Sequence, residues 1–106
     1  MSESEKATER YLTLEIKKIF GLSFKWSSLA NRGVPDRICL FSPGIFALVE
    51  VKSEGKKPTK LQQYTIDIIR KMGFRVEVID TKAGVDLFIQ SIKEQIKCVS
   101  LTTLSS

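Results

Sequence analysis

Two apolar runs, Arg37–Phe41 (RICLF) and Ile45–Lys52 (IFALVEVK), are separated only by Ser42-Pro43-Gly44. Both runs are rich in β-branched and aromatic residues, and a Pro-Gly connection of this length reads as the turn of a β-hairpin. The second strand must then return antiparallel beside the first. Because successive side chains in a strand alternate faces, Leu48, Glu50 and Lys52 point one way and Val49 and Val51 the other. The same geometry brings Asp36, which immediately precedes the first strand, near Glu50 at one edge of the sheet.

The flanking segments supply the layers that such a hairpin needs. Residues 5–20 carry Leu12, Ile16, Ile19 and Phe20 at helical spacing and stop at Gly21. Leu22–Ser27 reads as a short strand before the hairpin. After the polar loop Ser53–Pro58, the apolar residues Leu61, Tyr64, Ile68 and Met72 mark a helix over 59–72, closed by Gly73. Phe74, Val76 and Val78 alternate with charged residues as a fourth strand. Asp80 or Thr81 can cap a last helix whose residues Val85, Phe88, Ile89, Ile92 and Ile96 share one face. The predicted order is αβββαβα, an α/β sandwich. A chain of 106 residues, 42% hydrophobic, suits one domain over 1–106, with a core of about 5–96 and a polar tail over 97–106.

Composition then removes whole classes of chemistry. There is no histidine, which excludes Ser-His and Cys-His catalysis and His-ligated zinc. Cys39 and Cys98 have neither CxxC nor zinc spacing, and buried thiols are the expectation for them. The net charge of +5 and pI near 9.4 favour a polyanionic partner such as nucleic acid. No apolar stretch is long enough for a membrane span and the polar N-terminus lacks signal-peptide character, so a soluble intracellular protein is expected, in the cytoplasm of a microbial or virus-infected cell.

Acid-base work therefore falls to carboxylates and lysine. Two carboxylates held together at Asp36 and Glu50 repel unless a cation sits between them. With a backbone carbonyl they make a hard-oxygen site suited to Mg²⁺ or Mn²⁺, beside which Lys52 can act on water. For Glu50 and Lys52 alone, a solvated strand end is the competing reading. At about 100° per residue, Glu9 lies within roughly 60° of Leu12 and Glu5 within roughly 20°, so both fall on the sheet-facing side of the first helix, where first-turn acids also favour the macrodipole. Gln62 falls on the rim of the second helix's apolar face and Gln63 on its solvated side.

Glu9 in a first helix, Gly33-Val34-Pro35-Asp36, Glu50-Val51-Lys52 and Leu61-Gln62, in this order and in these elements, resemble the VRR-NUC family of the PD-(D/E)XK nuclease superfamily. The resemblance implies a restriction-endonuclease-like αβββαβ core, a mixed sheet flanked by helices, with an added C-terminal helix. It implies metal ligands at Glu9, Asp36, Glu50 and the carbonyl of Val51, a catalytic Lys52 and an accessory Gln62. The implied activity is Mg²⁺- or Mn²⁺-dependent hydrolysis of DNA phosphodiesters, leaving 5′-phosphate and 3′-hydroxyl ends. Lys25, Arg32, Arg37, Lys56, Lys57 and Lys60 flank these positions and are candidates for holding backbone phosphates. Small stand-alone members of the family are implied to be homodimers that cut four-way junctions, and Phe24, Trp26 and Leu29 are available for an interface. A catalytically silent nucleic-acid-binding module and a small interaction protein are the alternatives.

Overall fold

A computed structural model of the chain describes residues 2–26 and 33–104. The elements are α1 (Glu5–Lys18), β1 (Leu22–Lys25), β2 (Arg37–Phe41), β3 (Ile45–Val51), α2 (Lys60–Lys71), β4 (Arg75–Ile79) and α3 (Lys82–Leu104). They follow the expected αβββαβα order. The four strands form one mixed sheet in the order β1-β2-β3-β4. β2 pairs antiparallel with both β1 and β3, and β4 lies parallel to β3. That last pairing needs a crossover, which α2 supplies.

Strand alternation divides the apolar residues between two layers. On one face Cys39, Phe41, Ile45, Ala47, Val49, Val51 and Ile79 pack against Leu12 and Ile16 of α1 and Val85, Phe88, Ile89 and Ile92 of α3. A fourteen-residue helix is marginal by itself in water. Leu12 and Ile16, both fully buried, contribute about 1.5–3 kcal/mol each and hold α1 on the sheet. On the opposite face Leu48 and Val76, with Ile38 and Val78 around them, meet Ile66 and Ile69 of α2. This second layer is narrower. Leu22, Phe24, Leu40 and Phe46 on the same face remain substantially exposed.

Helix ends differ from the pattern in two places. α1 turns at Phe20, whose φ is +62°, with Phe20 N–H donating to Lys17 O and Gly21 N–H to Ile16 O, a Schellman arrangement. Phe20 is therefore 93% exposed and lies outside the core face to which its spacing assigned it. Gly21 is needed for space, since a Cβ there would stand 2.6 Å from the Phe41 ring. Of the two candidate caps of α3, Thr81 serves, its hydroxyl accepting from Gly84 N–H at 3.0 Å. α3 itself continues to Leu104, through residues assigned by their polarity to a tail. Cys39 is buried, and burial pushes its thiol up to about 11, whereas Cys98, expected to be buried, is exposed. No helix among the described residues is long and apolar enough to cross a membrane.

Candidate active site

The β2–β3 register sets Arg37 opposite Val49, so one step further Asp36 lies opposite Glu50, where the hairpin pattern put it. Glu50 is only 7% exposed, on the α2 face next to Leu48. Burial raises its pKa first and the Asp36 charge raises it further. The Lys52 ammonium, a hydrogen bond from it and the Asp36 main-chain N–H act in the opposite direction without cancelling the shift. Lys52 Nζ stands 3.4 Å from Glu50 Oε2, with both side chains nearly buried. The Lys52 main chain still donates to Ile79 O at 2.9 Å, which carries the strand geometry one residue past Val51. Val51 itself points into the opposite core. The outcome is a pair of carboxylates short of positive charge despite the lysine, a donor set that a hard divalent cation fits.

Glu9 is placed differently. Its carboxylate faces two cations, Arg37 Nη2 at 3.5 Å and Lys25 Nζ at 3.8 Å, and among the described residues no three acidic or cysteine side chains gather around one point. Glu5 is exposed. Arg37, expected among the phosphate-binding cations, is buried at 7% exposure and donates through Nη1 to Ser23 Oγ at 2.8 Å. It lies inside because β2 alternation puts it on the same face as Cys39 and Phe41. Lys56, Lys57 and Lys60 are exposed, on the loop after Lys52 and in the first turn of α2. Arg32 and Leu29 lie outside the described residues.

Two packing devices hold these elements in place. Gly33 lies against α2, and a Cβ at that position would stand 2.8 Å from Leu61 O and collide with the Thr65 side chain. The glycine of the GVPD stretch thus lets the chain reach β2 directly over the helix backbone. Thr59 and Gln62 form a capping box: Gln62 N–H donates to Thr59 Oγ1 at 3.2 Å and Thr59 N–H donates to Gln62 Oε1 at 2.9 Å. Gln62, half-buried, so also fixes the start of α2, a role readable from the T-x-x-Q spacing itself. Gln63 is exposed and bonds Asp67.

A further set of residues escaped the sequence pattern. Glu3 N–H donates to the Glu54 carboxylate at 2.8 Å, Glu54 N–H to Glu3 O at 3.0 Å, and Gly55 N–H to Asp80 Oδ2 at 2.9 Å. The Glu3 carboxylate accepts from Lys82 N–H at 3.2 Å, at the start of α3. The loop that follows Lys52 is tied in this way to both the N-terminal segment and β4.

Residues 5–83, which contain Glu9, GVPD, EVK and Leu61-Gln62, match the model of the VRR-NUC domain. The chain belongs to the VRR-NUC family, and with it to the nucleases. The VRR-NUC chain is 36% identical over 78 residues to a protein of Acyrthosiphon pisum secondary endosymbiont phage 1 named "Putative nuclease p44", covering 74% of this chain and 84% of that one. It superposes on a solved VRR_NUC domain structure with a TM-score of 0.78 at 29% identity, over 83% of this chain and 96% of the other. The mixed four-stranded sheet with flanking helices and a C-terminal helix is the restriction-endonuclease-like fold of this family.

Proposed function

We propose that this VRR-NUC chain is a divalent-metal-dependent DNA endonuclease that acts as a homodimer on branched DNA, four-way junctions above all. The observation that carries the reading is Asp36 opposite a buried Glu50 whose proton affinity is raised, with Lys52 3.4 Å from that carboxylate. Asp36, Glu50, the Val51 carbonyl and Glu9 would hold Mg²⁺ or Mn²⁺. When bound, the cation supplies Lewis-acid activation of water and of the scissile phosphate. Lys52, held near Glu50 with little exposure, orients the attacking water and stabilises charge that develops on the phosphate. Gln62 keeps its NH₂ group as a donor while its oxygen caps α2. The exposed Lys56, Lys57 and Lys60 hold backbone phosphates and read shape, not sequence. Cleavage leaves 5′-phosphate and 3′-hydroxyl ends.

Support for a dimer comes from the second sheet face. Trp26, Val34, Ile38, Phe46, Leu48, Ile69, Met72 and Phe74 line an open groove of about 320 Å³. Leu22, Phe24 and Leu40 extend its apolar surface across β1 and β2. An apolar surface this continuous suits an interface, and two sites related by a twofold axis suit symmetric nicking of a junction. The test combines light scattering with cleavage of labelled four-way, flapped, nicked, single-stranded and duplex DNA in Mg²⁺, Mn²⁺ or EDTA. A dimer that cuts junctions only with metal, and whose Lys52→Ala variant binds DNA but does not cut it, is the expected result. A monomer that cuts flaps and spares junctions overturns the junction reading, and binding without cleavage under every condition overturns the nuclease reading.

A further inference from the structure

We propose that Arg37 is a positioning residue for the metal site: it holds Glu9 by one carboxylate oxygen, and the other oxygen, which faces Lys25, is the one a divalent cation takes over. The inference rests on the nuclease reading above and concerns how its third carboxylate is delivered.

The two oxygens of Glu9 are held unequally. Oε1 faces Arg37, whose side chain is only 9% exposed, whose Nη1 is engaged with Ser23 and whose Nε is buried without a partner. A guanidinium stays charged at any physiological pH. Glu9 is the carboxylate within ion-pair reach of it among the described residues, so taking Glu9 away strands a buried charge, and that is strongly resisted. Oε2 faces Lys25 at 3.8 Å; neither cation stands at hydrogen-bonding distance, and what separates them is exposure, 59% for the Lys25 side chain against 9% for Arg37. Solvent readily replaces that ammonium.

The placement fits the exchange. Lys25 and Arg37 are register partners at the end of β1 and the start of β2. Arg37 directly follows Asp36, so Glu9 lies at the same end of the sheet as the Asp36–Glu50 pair. One dipeptide, Asp36-Arg37, thus supplies a carboxylate to the site and the anchor for another carboxylate. Glu9 faces its two cations on the α1 side of the sheet, whereas Glu50 lies on the α2 side with Leu48, and among the described residues no three acids converge. Lys25 then competes with the metal, and Arg37 does not.

Calorimetric titration of the full chain with Mn²⁺, without DNA, tests this apart from catalysis. Lys25→Gln should tighten Mn²⁺ binding about threefold, the scale of an exposed ion pair. The gain should vanish when Glu9→Gln is already present. Arg37→Ala should weaken binding about tenfold, as loss of an outer-shell partner does, with partial recovery in Arg37→Lys. If Arg37→Ala fails to fold, Arg37→Lys and the Lys25–Glu9 cycle decide. Parental affinity in Arg37→Lys together with an equal Lys25→Gln effect with and without Glu9 overturns the proposal. Asp36→Asn is the separate arm: unchanged Mn²⁺ affinity there overturns the metal site itself, whereas loss of affinity there with no Arg37 or Lys25 effect overturns only the positioning role.

Discussion

Replacing Gly33 by alanine tests whether the packing of the GVPD stretch on α2 is what sets Asp36 opposite Glu50. The added carbon would stand 2.8 Å from Leu61 O and 3.1 Å from Thr65 Cβ. A carbon approaches a carbonyl oxygen comfortably at about 3.3 Å, so the overlap with Leu61 O is roughly half an ångström. Leu61 O belongs to helix backbone and cannot rotate aside as a side chain would. Overpacking of this kind costs about 1–3 kcal/mol. In a domain of this size, that lowers the melting temperature by roughly 5–20 °C. Relief comes by moving residues 33–36 away from the helix, which takes Asp36 from Glu50, so Mn²⁺ affinity should fall in the folded variant. Thermal melts in EDTA followed by Mn²⁺ calorimetry below the transition measure both effects. A melting point within about 2 °C of the parent, with parental Mn²⁺ affinity, would refute the argument that close approach to α2 positions the site.

Two other outcomes follow from the site's electrostatics. Glu50 holds its proton more tightly in the folded chain than in the unfolded one, because of burial and then Asp36. Its ionisation thus removes stability as pH rises from the unfolded value near 4.5 through the raised folded value, and the loss persists above it. Glu50→Gln should therefore be inactive yet more stable than the parent in EDTA at pH 7, with the difference shrinking toward pH 4; a variant less stable at pH 7 contradicts this. Changing Lys56, Lys57 and Lys60 together to glutamine should weaken DNA binding and flatten its salt dependence by about 0.9 in log–log slope for each phosphate no longer neutralised. Binding isotherms across a salt series report this, and an unchanged slope would remove these lysines from the DNA surface.

The site was legible where it depended on short-range geometry. A hairpin with a three-residue connection fixes its own register, so Asp36 and Glu50 could be brought together from their positions along RICLF and IFALVEVK. Arg37 carries two conflicting signals, a positive charge that suits a phosphate and a place in the alternation with Cys39 and Phe41 that sends it inward, where a cation on a core face needs a counter-ion, here Glu9. Phe20 has an apolar side chain at a helix-compatible spacing, but the chain reverses there and turns it outward. The Glu3–Glu54 and Glu3–Lys82 bonds join residues 51 and 79 positions apart, a separation that no periodicity reports. The polar end of α3 carried no hydrophobic face to extend the pattern, although Ser, Leu and Thr are compatible with helix.

The end of β3 shows why an apolar strand closes in charges of opposite sign. A strand under selection for stability alone would place there a residue content to be buried next to Leu48, yet the chain buries Glu50 opposite Asp36 and leaves Lys52 unable to cancel the effect. The two apolar layers hold the fold without that pair: Leu12 and Ile16 fasten α1, and Ile66 fastens α2. Stability gained in those layers can therefore sustain a locally unfavourable arrangement at the end of an inner strand, the usual condition of a functional site. Lys52 does not remove the unfavourable charge because it is a single charge 3.4 Å from one oxygen of one carboxylate, whereas a divalent ion carries twice the charge and can be shared by both carboxylates. A cation that relieves the repulsion binds the folded chain and not the unfolded one, so Mn²⁺ should raise the parent's melting temperature and leave Glu50→Gln nearly unmoved. An equal Mn²⁺-induced shift in both proteins would show that the cation binds elsewhere.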